Sequence, residues 1–179
     1  KTLGIVGMGN IGAAVARRGR FGFNMPIIYS GNSRKTALEQ ELGAQFRSLD
    51  QLLAEADFVV IVVPLSDATR KLISSRELKL MKPSAFLINI ARGPVVDEAA
   101  LIEALQNGTL LGAGLDVYEK EPLSDSPLFK LPNALTLPHI GSATAETREA
   151  MANRAIDNLR AALLGERPRD LVNPQVWKG

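Results

Sequence analysis

The sequence has no cysteine, which excludes disulfide staples and thiolate zinc sites. This suits a reducing compartment, and a cytoplasmic location is the expectation. An excess of one charge is lacking too: 21 Lys and Arg face 19 Asp and Glu, for a net charge of +2. These charges are scattered, and no basic block is interleaved with aromatic residues. That pattern argues against a nucleic-acid partner. No long hydrophobic run occurs. The most apolar stretch, Phe58 to Leu65, contains Pro64 and falls far short of the ~20 residues that span a bilayer, so no membrane role is expected. The opening residues, Lys1-Thr2-Leu3-Gly4-Ile5-Val6, do not have the layout of a signal peptide. They read as the first core strand, and the chain is expected to be part of a longer protein.

What is present is a composition suited to a packed globule: 46% hydrophobic and 22% charged residues over 179 positions. Short apolar runs alternate with helix-length segments. Strands are expected at Leu3–Gly7, Ile27–Ser30, Phe58–Val63, Ala85–Ile90, Leu111–Val117 and Ala134–Leu137. Several are apolar without alternation, as in strands covered on both faces of a parallel sheet. Helices are expected at Ile11–Arg20, Leu49–Glu55, Ser75–Met81 and Asp97–Gln106, with Asp97 as an N-terminal cap and Asn107-Gly108 closing the last. Residues 118–133, with three prolines, read as a long loop at the sheet's edge. One long amphipathic helix is expected over Thr144–Leu164. This alternation predicts an α/β doubly wound parallel sheet, the Rossmann fold, over residues 1–143. Residues 144–179 would then form a C-terminal helix and tail.

Gly7-Met8-Gly9-Asn10-Ile11-Gly12 stands between an expected strand and an expected helix. In that context the G-x-G-x-x-G pattern points to a dinucleotide. Gly7 permits the tight turn, Gly9 lets the backbone approach a pyrophosphate, and Gly12 lets helix and strand pack closely. The phosphates would sit on the free amides at the helix start, beside Asn10 and Ile11. NAD-binding versions carry an acidic residue about 20 positions after the glycines, bonded to the ribose. Here that position falls near Ser30, and no acid occurs until Glu39. Ser30, Asn32 and Ser33 can donate hydrogen bonds to a 2′-phosphate, and Arg34 can add charge-assisted contacts. NADP is therefore favoured, with NAD possible. The alternative is a solvated basic loop with no part in cofactor choice.

Three further segments follow expected strands: Leu87-Ile88-Asn89-Ile90-Ala91-Arg92-Gly93-Pro94, Gly114-Leu115-Asp116-Val117-Tyr118-Glu119-Lys120-Glu121-Pro122, and Leu137-Pro138-His139-Ile140-Gly141-Ser142. With the phosphate loop they resemble the D-isomer-specific 2-hydroxyacid dehydrogenases, and within them the bacterial glyoxylate/hydroxypyruvate and 2-ketogluconate reductase branch. The resemblance runs from the phosphate loop to Val172-Asn173-Pro174. It places the family's catalytic arginine on Arg92, its glutamate on Glu121 and its histidine on His139. Glu119 is close in sequence, but the family's carboxylate immediately precedes proline.

The resemblance implies reduction of a small 2-keto acid, with hydride from the nicotinamide. His139 would donate the proton, with Glu121 favouring its imidazolium and fixing the ring. Arg92 would offer a planar fork to the substrate's carboxylate and keto oxygen. Asp116 would bond the nicotinamide carboxamide, and Gly141 would lie beside the nicotinamide together with His139. Val63, Pro64 and Thr69 would run beneath the adenosine and ribose, and Ile90, Ala91 and Arg92 would complete the cofactor contacts. Taken singly, each has a structural alternative: a solvent-facing histidine, an arginine capping a helix end, turn residues at Val63–Thr69.

The resemblance also implies a separate substrate domain, against which the C-terminal helix and tail would pack, and a homodimer formed through the present domain. A fragment without that domain would turn over poorly. Rival readings are a dinucleotide-sensing corepressor of the same fold and an NAD-dependent phosphoglycerate dehydrogenase. A formate dehydrogenase would carry glutamine where Glu121 stands.

Overall fold

The computed structural model describes residues 1–177, so the end of the predicted tail, Lys178 and Gly179, lies outside the described residues. The chain divides into two compact units, Lys1–Pro138 and His139–Gly179.

The first unit is built on seven parallel strands: β1 (Leu3–Val6), β2 (Ile27–Ser30), β3 (Gln45–Phe46), β4 (Phe58–Ile61), β5 (Phe86–Asn89), β6 (Gly112–Leu115) and β7 (Ala134–Thr136). Their order across the sheet is β3-β2-β1-β4-β5-β6-β7, the doubly wound arrangement expected. The order reverses direction after β1, and β4 lies on its other side in register Leu3 to Phe58. The chain leaves β1 and β4 in opposite directions, which opens a crevice at their carboxyl ends where ligands bind in such sheets.

Alternation along the strands feeds two separate cores. Leu3, Ile5, Ile27, Tyr29 and Val60 face one side and pack with Ala16 and Leu42. Val6, Ile28, Val59, Ile61 and Leu87 face the other and pack with Leu52, Leu53, Leu78, Leu101 and Leu105. Because both faces bury apolar side chains, these strands show no clean polar alternation in sequence.

The helices are α1 (Asn10–Arg17), α2 (Thr36–Leu42), α3 (Leu49–Glu55), α4 (Ser75–Leu80) and α5 (Glu98–Gln106). Two of these starts are capping boxes, Ser48 with Gln51 and Ser74 with Glu77; in the first each side chain accepts from the other residue's amide, and in the second Glu77 accepts from the Ser74 amide at 3.0 Å. Asp97 caps α5 as expected, accepting from the Ala100 amide at 3.3 Å and from Lys71 Nζ at 3.0 Å.

Several boundaries differ from the sequence expectation. The helix expected over Ile11–Arg20 stops being α-helical at Arg17 and widens into a π turn over Arg18–Gly22. Within this turn Gly19 is buried against Leu3 of β1, so closely that a Cβ there would lie 2.5 Å from Leu3 Cδ2. Five expected strands are shorter than expected, because their last residues peel away into the loops of the crevice. Gly7, for example, leaves β1 with a φ of +104°. Helix α2 and the two-residue β3 were not anticipated. Lys35 at the start of α2 provides no side-chain cap, and β3 is too short to show a pattern. Residues 118–133 are not wholly irregular: Pro127–Lys130 form a 3₁₀ turn that buries Leu128.

The second unit consists chiefly of α6 (Ala145–Leu163), capped by Thr144, whose hydroxyl accepts from the Thr147 amide at 3.2 Å. Arg154 pairs with Asp170, and Asn158 bonds the same carboxylate, fastening the tail to the helix. Met151, Ile156, Leu159 and Leu163 are all exposed on α6. Among the described residues no helix is long and apolar enough to cross a membrane.

Candidate functional site

The turn between β1 and α1 behaves as its glycines require. Gly7 adopts a φ that side-chain-bearing residues rarely take, and a Cβ on Gly12 would fall 2.2 Å from the Gly7 carbonyl oxygen. Gly9 is different: the space where its Cβ would stand is open. Gly12 is thus fixed by packing within the protein, while Gly9 leaves the backbone bare toward the outside. That is the cradle a pyrophosphate needs, with Asn10 and Ile11 opening α1 behind it.

This turn forms one wall of a cleft of about 430 Å³, lined by Gly7, Gly9, Ser30, Asn32, Ser33, Val63, Pro64 and Thr69. All eight were singled out from sequence. Met8, Gly31, Lys35, Leu49, Ser66, Ala68 and Leu72 also line it and were missed. Lys35 could have been found, since it continues the basic loop after Arg34; Leu49 and Leu72 come from elements whose approach depends on the fold. A second cleft shares Val63 and Pro64 and continues over Ile11, Ile90, Ala91 and Arg92. The two together have the extent and composition to hold a dinucleotide across the carboxyl ends of β1, β2, β4 and β5.

Thr69 acts within its own turn. Its hydroxyl donates to the Pro64 carbonyl at 2.6 Å and accepts from the Ser66 amide at 2.8 Å. The turn role considered for it is therefore present whatever else it contacts.

Arg34 does not line the cleft. Its guanidinium makes a two-point pair with Glu39, Nε to Oε1 at 3.1 Å and Nη2 to Oε2 at 2.9 Å. Glu39 also accepts from the hydroxyl of fully buried Tyr29 at 2.6 Å. The hydrogen bonds from Arg34 and Tyr29 hold the Glu39 carboxyl below its usual range, whereas burial pushes the Tyr29 phenol up. Sequence spacing could not reveal this arrangement, because strand, loop and helix each contribute one member.

Arg92 follows β5. Asn89, buried at the strand's end, accepts from the Ala91 amide and donates to the Arg92 carbonyl, both at 3.1 Å. This folds Ile90 and Ala91 into a tight turn and leaves Arg92 exposed at its tip. Arg92 Nη1 donates to the Ala91 carbonyl at 2.6 Å. The next residue, Gly93, lies against the backbone of Tyr118 and Glu119, so closely that no side chain fits between them. Reciprocal bonds reinforce the contact: the Glu98 amide donates to Glu119 at 3.3 Å, and the Glu119 amide to Glu98 at 3.1 Å. The arginine turn and the loop carrying Glu121 are thereby held together.

Asp116 is buried just after β6. Tyr118 is buried nearby, and its hydroxyl donates to the Leu137 carbonyl at 2.7 Å, tying this loop to the end of β7. Glu121 is exposed and accepts from the Tyr118 amide at 3.0 Å. His139 begins the second unit with a φ of +53°, a left-handed backbone that costs energy in a non-glycine residue and clusters at functional positions. Gly141 follows in the same unit. Among the described residues no group of three or more His, Asp or Glu side chains could hold a metal ion.

The family model described as "D-isomer specific 2-hydroxyacid dehydrogenase, NAD binding domain" matches residues 1–141. Glyoxylate/hydroxypyruvate reductase B of Serratia proteamaculans is 58% identical over 179 residues, covering 99% of this chain and 55% of that protein. A crystal structure of a protein from Thermus thermophilus has a TM-score of 0.88 at 48% identity, covering 96% of this chain and 53% of that one. The NADPH-dependent glyoxylate/hydroxypyruvate reductase of Sinorhizobium meliloti, solved with NADP and malonate, has a TM-score of 0.83 at 40% identity and covers 91% and 50%. The chain spans about half the length of the curated relatives it matches. It belongs to the D-isomer specific 2-hydroxyacid dehydrogenase family and carries that family's NAD-binding domain.

Proposed function

We propose that this chain is the cofactor-binding half of an NADPH-preferring reductase of small 2-keto acids such as glyoxylate, hydroxypyruvate or 2-ketogluconate, yielding D-2-hydroxy acids. The observation that carries the reading is the pair of adjoining clefts, sharing Val63 and Pro64, that extend from the bare backbone at Gly9 and the Ser30–Lys35 loop to Arg92. The backbone at Gly7, Gly9 and the first turn of α1 would hold the pyrophosphate. Ser30, Asn32, Ser33 and Arg34 would hold a 2′-phosphate, and Asp116 and Gly141 would hold the nicotinamide end. The bound dinucleotide would supply a hydride to the substrate's carbonyl carbon.

The protein's own residues would do the rest. Arg92 would clamp the substrate's carboxylate and polarise its keto oxygen through its planar fork. His139 would deliver a proton to that oxygen, and Glu121 would orient the imidazole. The exposed apolar stripe of α6 would pack on the substrate domain, as the length of the relatives supports. We further propose a cytoplasmic homodimer joined through this domain.

Calorimetric titration with NADPH and with NADH tests the reading. Tighter binding of NADPH is expected. Binding of neither, repeated on the full-length protein, would refute it.

A further inference from the structure

Beyond the residues that would touch the cofactor, one buried group connects the core to the loop that borders the cleft. Tyr29 is the last fully buried residue of β2, fixed by an edge-to-face contact with Phe46 at 5.4 Å. Its hydroxyl accepts from the Lys35 amide at 2.7 Å and donates to Glu39 at 2.6 Å. A buried phenol therefore fastens both the end of the Gly31–Lys35 loop and a carboxylate on the following helix. That carboxylate is 15% exposed in its side chain, yet it spends both oxygens on Arg34, which is 66% exposed. A surface ion pair contributes little to stability. One partner anchored in the core is a costly way to make one, unless the direction of Arg34 matters.

The pair fixes which edge of the guanidinium is taken, beside a cleft that Arg34 itself does not line. A guanidinium has five N–H donors in one plane. Glu39 takes Nε–H and one N–H of Nη2, which leaves the Nη1/Nη2 edge free to form a second two-point contact. The residues on either side of Arg34, Ser33 and Lys35, line the cleft. A dianion bound to that loop would meet a guanidinium already oriented, with its rotamer freedom spent before the ligand arrives.

We propose that Glu39, held by Tyr29, is a specificity-determining positioning residue: it grips Arg34 by one edge and presents the other to the 2′-phosphate of the dinucleotide. This rests on the reading of the Ser30–Lys35 loop as a 2′-phosphate site. It also runs against simple charge counting, in which an acid near a phosphate site disfavours NADPH. Removing the Glu39 charge should weaken NADPH binding, whereas a purely repulsive carboxylate would predict the reverse.

The test is titration of the wild type, Glu39→Gln, Tyr29→Phe, Arg34→Ala and the Glu39→Gln/Arg34→Ala double variant with NADPH and NADH, with melting temperatures alongside. Glu39→Gln keeps an acceptor for Tyr29 but loses the charge that Arg34 and Tyr29 stabilise, so a small fall in melting temperature is expected at neutral pH while the protein stays folded. The expected result is a loss of NADPH preference of about tenfold, the lower end for a hydrogen bond to a charged group. Tyr29→Phe should move it the same way. The Glu39 effect should vanish in the Arg34→Ala background, because it acts through that side chain. An NADPH preference unchanged or increased in Glu39→Gln overturns the role of Glu39 while leaving the cofactor reading intact. Equal losses for NADPH and NADH mark a merely structural residue and also overturn it. No NADPH preference in the wild type overturns both.

Discussion

Replacing Gly93 by alanine would place a methyl carbon 1.8 Å from both the carbonyl carbon and oxygen of Tyr118 and 2.4 Å from the Glu119 nitrogen. Gly93 does not have a positive φ, so alanine can adopt its backbone conformation and the effect is one of space alone. The obstacles are main-chain atoms, which cannot swing aside as a side-chain end can. To reach an ordinary contact near 3.4 Å, the arginine turn and the Tyr118 loop must part by about 1.6 Å. That separation would also break the reciprocal Glu98–Glu119 bonds. Overpacking costs roughly 1–3 kcal/mol, and a backbone-on-backbone clash belongs at the upper end. For a chain of this length about 3 kcal/mol lowers the melting temperature by roughly 6–12 °C, measurable by circular dichroism. In the full-length enzyme a displacement of Arg92 by more than ~1 Å should reduce turnover by about a hundredfold. A melting temperature within about 2 °C of wild type would refute this reading, since it would mean that the two loops separate at no cost.

Gly9→Ala provides the contrast: the Cβ meets open space, so the melting temperature should hold while NADPH affinity drops at least about tenfold, as read by calorimetry. An alanine variant that binds as wild type would mean that the pyrophosphate does not approach there. On the proposed reading, His139→Ala in the full-length protein should cut keto-acid reduction by roughly 10²–10⁴-fold, far more than it weakens dinucleotide binding; retained turnover would sink the proposed role as proton donor. Asp57 accepts from the Thr2 amide at 2.7 Å, and this bond, aided by Lys82, outweighs burial and holds its carboxyl below the usual range. A depressed carboxyl pKa stabilises the fold above the ordinary value near pH 4, and that contribution is lost as pH falls through the depressed one. Asp57→Asn should therefore melt earlier than wild type at neutral pH, and the two curves should converge as pH falls below the ordinary carboxylate value through the depressed one. A gap that stays constant with pH would show that the carboxyl charge is not what matters.

The sequence alone determined what rests on local chemistry. Strand positions were legible because both faces of the sheet are covered, which leaves continuous apolar runs, and the capping of α5 was legible because Asp97 acts within three residues of itself. The phosphate loop was legible because three glycines fill three different needs within six positions. The candidate catalytic residues were reached only through resemblance, since an arginine, a glutamate and a histidine in separate loops have no periodicity to detect.

Tertiary structure decided the rest. Gly93 looks like one glycine among fifteen until Tyr118 closes on it from 25 positions away. Glu39 looks like an acid that comes too late to bind a ribose until β2, the loop and α2 fold it onto Arg34 and Tyr29. The short β3 is a strand only because β2 is there to pair with it. The Gly93 contact joins elements that the chain brings together only by winding around the sheet, and the Glu39 contacts, though close in sequence, depend on how strand, loop and helix fold back on one another; neither follows a period that a sequence shows.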